Sequence, residues 1–323
     1  MTAKARACVE LERDLVASAS GEAAGPTTRR VQAHIDRCPE CRDEFDQYRR
    51  IEDEVVGLRS HLVAEPHVAL ARDRLEGRLA DLKSRLVAYR VLPSPIGPVL
   101  LARSEQGVLL VEYLGRRHRP EATQLGRLRE VEVVEDEGET EALSRELIEY
   151  LEGRRTRLDW PLDLRLVRSD FYRDVLRATS AIPYGAVVSY AGLATEVGRP
   201  RAVRAAAQAL RWNPLPIVIP CHRVIGSSGA LTGYAGGTTE KKQRLLSVEG
   251  IPTEKAGDDF RIRREAMYVL ARGETEYCLP TCPSVDPFPH GGVLFASRER
   301  AEATGLAPCT TCRPDLHSLE VPA

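Results

Sequence analysis

The sequence predicts a multidomain α+β protein: a helical N-terminal module, a small sheet followed by a helix-turn-helix core, and a small cysteine-rich C-terminal domain. Three observations lead there. The chain has 323 residues, enough for two or three domains at roughly 100–200 residues each. Its apolar pattern changes twice, from intervals of three and four residues to short continuous runs and back to helical spacing. Its eight cysteines fall in three groups: Cys8 with Cys38 and Cys41, Cys221 alone, and Cys278 and Cys282 with Cys309 and Cys312. With 43% hydrophobic residues, 29% charged residues, 24 Gly and 21 Pro, the composition excludes collagen-like and disordered classes. No stretch approaches the roughly 18 uncharged apolar residues of a membrane span, and the N-terminus lacks a signal-peptide core. The expected location is the cytoplasm, with no membrane partner.

Residues 1–41 hold an apolar-periodic segment, a small-residue break from Ser18 to Pro26, and a second segment ending at His34-x3-Cys38-Pro39-x-Cys41. That pattern predicts two short helices closed by a metal, with Pro39 opening the next helix. From Phe45, apolar residues recur at Tyr48, Ile51, Val55, Leu58 and Leu62, one stripe on a helix of about five turns. Pro66 ends it. The stripe suits packing on the next domain or on a partner protein. A second helical stretch runs to about Leu82, and the runs Leu86–Val91, Val99–Arg103, Val108–Leu114 and Val131–Val134 then read as strands. Residues 138–152 are helical. Three further helical patterns follow at Phe171–Ser180, Tyr190–Val197 and Pro200–Trp212. Gly198 closes the second and Pro200 opens the third, so a turn of about three residues makes a helix-turn-helix. Ile217–Ile219 reads as a buried extended run that Pro220 terminates, and residues 250–275 read as a linker. The expected segments are 1–65, a helical linker 66–85, 86–165, 166–252, a linker 253–272, and 273–316.

Net charge is −1, but residues 165–250 hold twelve Arg and Lys against five Asp and Glu, a local +7 that leaves −8 elsewhere. Such a segment can follow a phosphate backbone. Paired cysteines at metal-ligand spacing, in a chain far above disulfide-scaffold size, favour zinc over disulfides. Cys221 stands apart, between Pro220 and His222-Arg223. A free cysteine is commonly a small buried hydrophobe, while neighbouring His and Arg favour the nucleophilic thiolate. Adjacent side chains on extended backbone point apart, so His222 needs a turn or a bridging water to act on the sulfur.

The ordered strings IPYGAVVSYAGLA, RPRAVRAAAQALRWNP, LPIVIPCHRVIGSSGALTGYAGG and KKQRLLSVEG make residues 183–250 resemble the O6-alkylguanine-DNA alkyltransferase family, its PCHRV acceptor motif included. Upstream, PSPIGPVLLARSEQGVLLVEYL resembles the family's ribonuclease-H-like half, so the resemblance spans about residues 86–250. It implies single-turnover, irreversible transfer of an alkyl group from guanine O6, or thymine O4, in double-stranded DNA to Cys221. It also implies roles: His222 activates Cys221 through a water, Glu249 orients His222, and Asn213 ties the site loop to the helix-turn-helix. Tyr190 donates to guanine N3, Tyr234 lines the base pocket, and Arg204 replaces the flipped nucleotide. Arg201 and Ala205 lie on the same Ala- and Arg-rich segment, Arg201–Leu210. It reads equally as a groove-docking helix or, through Ala205, Ala206, Ala207 and Ala209, as a tight packing face. Taken by themselves, the two tyrosines read as core and Glu249 as a solvated charge.

YCLPTCP and GLAPCTTCRPD resemble the zinc-binding domain of the adaptive-response protein Ada, in which the first cysteine also accepts methyl from phosphotriesters. Here Leu279 follows Cys278, Thr310-Thr311 separate the last pair, and Arg298 and Arg300 face Asp286, Glu299 and Glu302. This places a structural zinc at Cys278, Cys282, Cys309 and Cys312 above a second acceptor. Cys8, His34, Cys38 and Cys41 resemble the zinc-binding anti-sigma family, with Cys8 the weaker fourth ligand. Two zinc ions and no organic cofactor are expected. The alternative is an alkylation sensor that meets a sigma factor, through residues 1–65, or a promoter.

Overall fold

The computed structural model describes residues 6–64, 66–115, 124–128, 131–234, 239–285, 292–317 and 319. They form two compact units, Met1–Asp81 and Leu82–Ala323. Among the described residues no helix is long and apolar enough to cross a membrane.

The first unit is helical: α1 (Arg6–Ala19), α2 (Gly25–Ile35), α3 (Pro39–Ala64) and α4 (Pro66–Arg85), the last running past the unit boundary. Pro39 takes the first position of α3, where its missing N–H is no loss. Cys8, Leu11 and Leu15 from one face of α1 meet Val31 and Ile35 of α2 and Cys41 of α3, with Phe45 and Tyr48 packed alongside. From Ile51 to Leu58 the stripe emerges into solvent, with Ile51 51% and Leu58 64% exposed, and the Leu62 side chain lies outside the described residues. The short α1 and α2 cover only the start of α3.

The second unit opens with β1 (Leu86–Leu92), β2 (Val99–Ser104), β3 (Gly107–Tyr113) and β4 (Glu132–Glu135) in the order β3-β2-β1-β4. β1, β2 and β3 are antiparallel neighbours and β4 runs parallel to β1. Along β2, Val99 and Leu101 join the main core while Leu100 and Ala102 join a cluster on the other face. Burial on both faces is why these strands read as continuous apolar runs. α5 (Glu137–Leu151) follows, its N-terminal amide at Glu139 held by the Asp136 carboxylate.

Next come α6 (Asp170–Ser180), β5 (Ala186–Ser189), α7 (Tyr190–Glu196), α8 (Val203–Arg211), a 3-10 turn at Cys221–Arg223, β6 (Val224–Ile225) and α9 (Thr239–Val248). Ser189 caps α7 by accepting the Gly192 N–H. Gly198, at φ +70, closes α7 with N–H bonds from Arg199 to Ala194 O and from Gly198 to Thr195 O, the double bond pattern of a left-handed helix stop. The chain ends in β7 (Thr253–Ala256), β8 (Asp259–Ile262), β9 (Tyr268–Leu270), β10 (Glu276–Cys278), β11 (Val293–Phe295), α10 (Arg298–Glu302) and β12 (Ala307–Pro308).

Four expectations need correction. α8 begins at Val203, because Pro200 sits in a turn closed by Ala202 N–H to Arg199 O, a turn position that suits proline. The connection between α7 and α8 is accordingly longer than three residues, and Arg201 lies off the helix. Ile217 is not extended: its φ of +77 turns the chain back between the bridged residues Pro216 and Ile219. Residues 253–272 are not a linker. β7 and β8 form a hairpin, and β9 enters a six-stranded sheet ordered β12-β10-β9-β11-β5-β6. Charged outward residues such as Glu254, Lys255, Asp259 and Arg261 mask these strands in the sequence. The hairpin also anchors the loop leading to Tyr234, through Leu231 N–H to Phe260 O and Ile262 N–H to Gly229 O.

Candidate active site and metal centres

The loop that leads into Cys221 is pinned by one side chain. Asn213, buried just past the end of α8, donates from Nδ2 to Ile219 O and accepts the Leu215 N–H at Oδ1, both at 2.9 Å. That pins both ends of the Leu215–Ile219 turn and accommodates Ile217 at a φ that β-branched residues avoid. Pro220 leads into the 3-10 turn, so Cys221, His222 and Arg223 project at about 120° to one another. This is the turn that His222 requires. Asn213→Ala leaves a buried carbonyl and a buried amide unpaired; the expected loss is about 1–3 kcal/mol of stability, measured by denaturant unfolding.

His222 and Glu249 are buried, with Nε2 and Oε1 2.5 Å apart. The same carboxylate accepts from Tyr150 Oη at 2.6 Å, Arg223 Nε at 2.9 Å and the Gly185 N–H at 3.1 Å. Burial alone would raise the Glu249 pKa, but His222 and Arg223 reverse this and hold it at about 2. Burial lowers the His222 pKa despite Glu249, which leaves the imidazole neutral near pH 7. With the Nε2 proton given to Glu249, Nδ1 is a bare acceptor; it is buried and has no protein partner.

Arg223 does not face the sulfur, contrary to what its place in the motif suggests. Its guanidinium bonds Glu249, Tyr150 and Ile182 O. The cation acting on Cys221 is Lys242, which sequence reasoning missed. Lys242 is fully buried, and its Nζ donates to Val224 O at 2.5 Å and Thr232 O at 3.2 Å. Burial lowers its pKa to about 8. The signal was available: Lys242, Leu245 and Leu246 of α9 and Glu249, one residue past its end, keep the i, i+3, i+4, i+7 spacing of one stripe, so the two charges at its ends face the core. Cys221 is only 7% exposed. Burial raises its pKa, with Asn213 and Lys242 acting in the opposite direction.

Cys221 lines a cavity of about 650 Å³ together with Tyr190, Arg204, Ala207, Gln208 and Tyr234. Tyr190, first residue of α7, rests its hydroxyl on Thr232 O at 3.3 Å, and burial pushes its pKa up to about 12. Tyr234 shares a 2.7 Å hydroxyl pair with Tyr113 and meets the His222 ring edge-on. The alanines of α8 divide between the two readings. Ala206 and Ala209 are fully buried, Ala207 lines the cavity, and Ala205 is exposed beside the exposed Arg204. Arg201 is exposed in the preceding turn.

Two groups of side chains have the chemistry of metal centres. Cys278, Cys282, Cys309 and Cys312 bring four sulfurs within 4.8 Å of one another, and Cys8, His34, Cys38 and Cys41 do the same with three sulfurs and a ring nitrogen. Cys8, 26 residues from His34, approaches its Nε2 at 3.6 Å. In the C-terminal group burial and neighbouring thiols raise the Cys278 pKa, while Cys309 falls to about 7. Four crowded sulfurs cannot all ionise without a cation among them. Both donor sets suit tetrahedral zinc.

Comparison with known proteins agrees with this anatomy. Family models match at residues 170–251 (6-O-methylguanine DNA methyltransferase, DNA binding domain), 87–164 (its ribonuclease-like domain), 263–315 (metal binding domain of Ada) and 8–42 (a zinc-finger). A methylated-DNA–protein-cysteine methyltransferase of Methanosarcina barkeri is 38% identical over 161 residues, covering 50% of this chain and 96% of the relative. The constitutive enzyme of that name from Bacillus subtilis is 49% identical over 106 residues, 33% of this chain and 63% of the relative. Among solved structures, the O6-methylguanine methyltransferase of Mycobacterium tuberculosis aligns at 38% identity over 50% of this chain and 92% of that one, with a TM-score of 0.43. The two Cys/His groups, each within a matched metal-binding module, are zinc sites. The chain belongs to the methylated-DNA–protein-cysteine methyltransferase family, with a zinc-binding module on each side of the family core.

Proposed function

We propose that this protein repairs alkylated double-stranded DNA by taking the alkyl group from guanine O6, or thymine O4, onto the sulfur of Cys221, once per molecule. The observation that carries this reading is the Cys221 sulfur at the wall of a cavity of about 650 Å³, next in the chain to a histidine bonded to a buried carboxylate. The target nucleotide leaves the stack and enters between Tyr190 and Tyr234, while Arg204 takes its place in the duplex. Arg201 and Ala205 approach the backbone.

Transfer then needs only a proton acceptor and an anion-stabilising donor. His222, oriented by Glu249, takes the thiol proton at Nδ1 through a water. The thiolate attacks the alkyl carbon; the S–C bond forms as the C–O bond breaks, and the electron pair goes to the base oxygen. Tyr190, kept protonated by its raised pKa, donates to guanine N3 as that charge develops. The thioether product has no hydrolytic route back, so the protein is consumed. Asn213 holds the loop, and Lys242 offsets part of the cost of a buried thiolate. Cys278, Cys282, Cys309 and Cys312, and Cys8, His34, Cys38 and Cys41, would hold the two zinc ions. A DNA substrate accords with the cytoplasm.

Intact-mass measurement after incubation with an O6-methylguanine duplex tests this. One added methyl that maps to Cys221 and is missing in Cys221→Ser is the expected result; zinc-loaded, reduced protein that acquires no adduct rejects the reading. The raised pKa of Cys221 adds a pH dependence. Its thiolate fraction is small at neutral pH and grows as pH rises, so iodoacetamide should modify Cys221 with a midpoint above the ordinary cysteine range. Peptide mass mapping across pH reads that midpoint.

A further inference from the structure

Building on that repair reading, we propose that the four-cysteine segment positions the His222–Glu249 pair by clamping Gly185, with Arg300 as the positioning residue, so that metal at the cysteines governs transfer at Cys221. Gly185 is the point of contact. Its N–H donates to Glu249 Oε2 at 3.1 Å, and its carbonyl accepts the Ala296 N–H at 2.8 Å. Its φ is +74, and a Cβ there would lie 3.1 Å from Arg300 Cγ and 3.3 Å from Glu249 O. The glycine is therefore gripped between the relay carboxylate on one side and the metal-bearing segment on the other.

The grip continues on both flanks of Gly185. Immediately after it, β5 pairs with β11 through Ala186 with Phe295, Val187 with Leu294 and Val188 with Val293. Immediately before it, the Tyr184 ring lies 4.6 Å beneath the Arg300 guanidinium, and the Tyr184 hydroxyl donates at 2.9 Å to the carbonyl of Val248, the neighbour of Glu249.

A continuous set of contacts leads from Arg300 to the metal ligands. Tyr277, fully buried next to Cys278, donates from its hydroxyl to Glu302 on the helix that carries Arg300, at 2.7 Å. Its carbonyl accepts the Cys309 N–H at 3.0 Å. Cys278 pairs with Val269 of β9, and β9 pairs with β11. Tyr277 and Phe295 belong to the main core, so metal loss loosens this segment without unfolding the unit. Displacement of a carboxylate that orients a base is enough to slow a reaction.

The test uses the full-length protein, zinc-loaded or stripped by chelator, together with Cys282→Ala, Arg300→Ala and Arg300→Lys. Two quantities are read: the single-turnover transfer rate from an O6-methylguanine duplex, and the pH midpoint for modification of Cys221 by iodoacetamide without DNA. Stripped protein, Cys282→Ala and Arg300→Ala should each transfer about tenfold more slowly or worse and show a higher midpoint. Arg300→Lys, which keeps the stem against Gly185, should restore most of both. The proposal is overturned if verified metal-free protein matches loaded protein in rate and midpoint. It is also overturned if Arg300→Ala matches wild type, or if its defect tracks lost thermal stability and Lys does not relieve it. Loaded wild type that transfers nothing defeats the repair reading instead, and the iodoacetamide midpoint still reports the coupling because it needs no DNA.

Discussion

Glu249→Gln should slow alkyl transfer by about 100-fold or more and destabilise the second unit by about 3–5 kcal/mol. The carboxylate is buried and accepts from His222, Arg223, Tyr150 and Gly185. An amide cannot satisfy that set: its NH2 group turned toward His222 meets a donor, or forces the imidazole into the tautomer with Nδ1 protonated, which is no longer a base. Arg223 meanwhile loses its counter-charge in a buried site. Single-turnover kinetics and denaturant unfolding read the two effects. Acid stability supplies an independent check. The folded carboxyl is held at about 2 against an ordinary 4.5, so the unfolded chain binds the proton first. The contribution is complete above about pH 4.5 and fades as pH falls toward about 2. Glu249→Gln should flatten stability across that window; a variant with the wild-type acid profile and rate would show that the carboxylate is idle.

Removing zinc from the N-terminal group should unfold the helices that it joins. The buried cluster there consists of Cys8, Leu11, Leu15, Val31, Ile35 and Cys41, a core too small to stand without a staple. Its ligands tie three helices together: Cys8 from α1, His34 from α2, Cys38 from the residue just before α3, and Cys41 from the first turn of α3. One ion therefore cross-links the whole cluster, and apparent metal-coupled stabilisation at such sites is about 10–16 kcal/mol. Hydrogen exchange on the full-length protein should show residues 6–48 protected with zinc and fully exchanging after chelation or in Cys41→Ser. Protection that survives verified metal removal would mean that the apolar cluster suffices.

Several features were legible because their signals are local. The spacing of Cys278, Cys282, Cys309 and Cys312, the helix stop at Gly198 and the apolar runs of β1 to β3 are patterns of near neighbours. The missed elements share a different cause. β7 and β8 expose charged residues on their outer face, and β9 is three residues long, so neither shows a strand period. The Leu215–Ile219 turn runs against the β-branched composition of Ile217-Val218-Ile219, because the Asn213 amide holds it in place.

Sequence by itself determined the ligand sets and the family, and it singled out Cys221 as the candidate acceptor, since each resides in the identity and short-range order of residues such as Pro220-Cys221-His222-Arg223. Only the tertiary structure decided which charge confronts the sulfur. It turned Arg223 toward Glu249, seated the buried Lys242 on the Val224 and Thr232 carbonyls, and joined Glu249 to His222, 27 residues away, and to Tyr150, 99 residues away. Desolvation and ion pairing depend on what surrounds a group in space, and that neighbourhood is assembled from helices and strands remote in the chain.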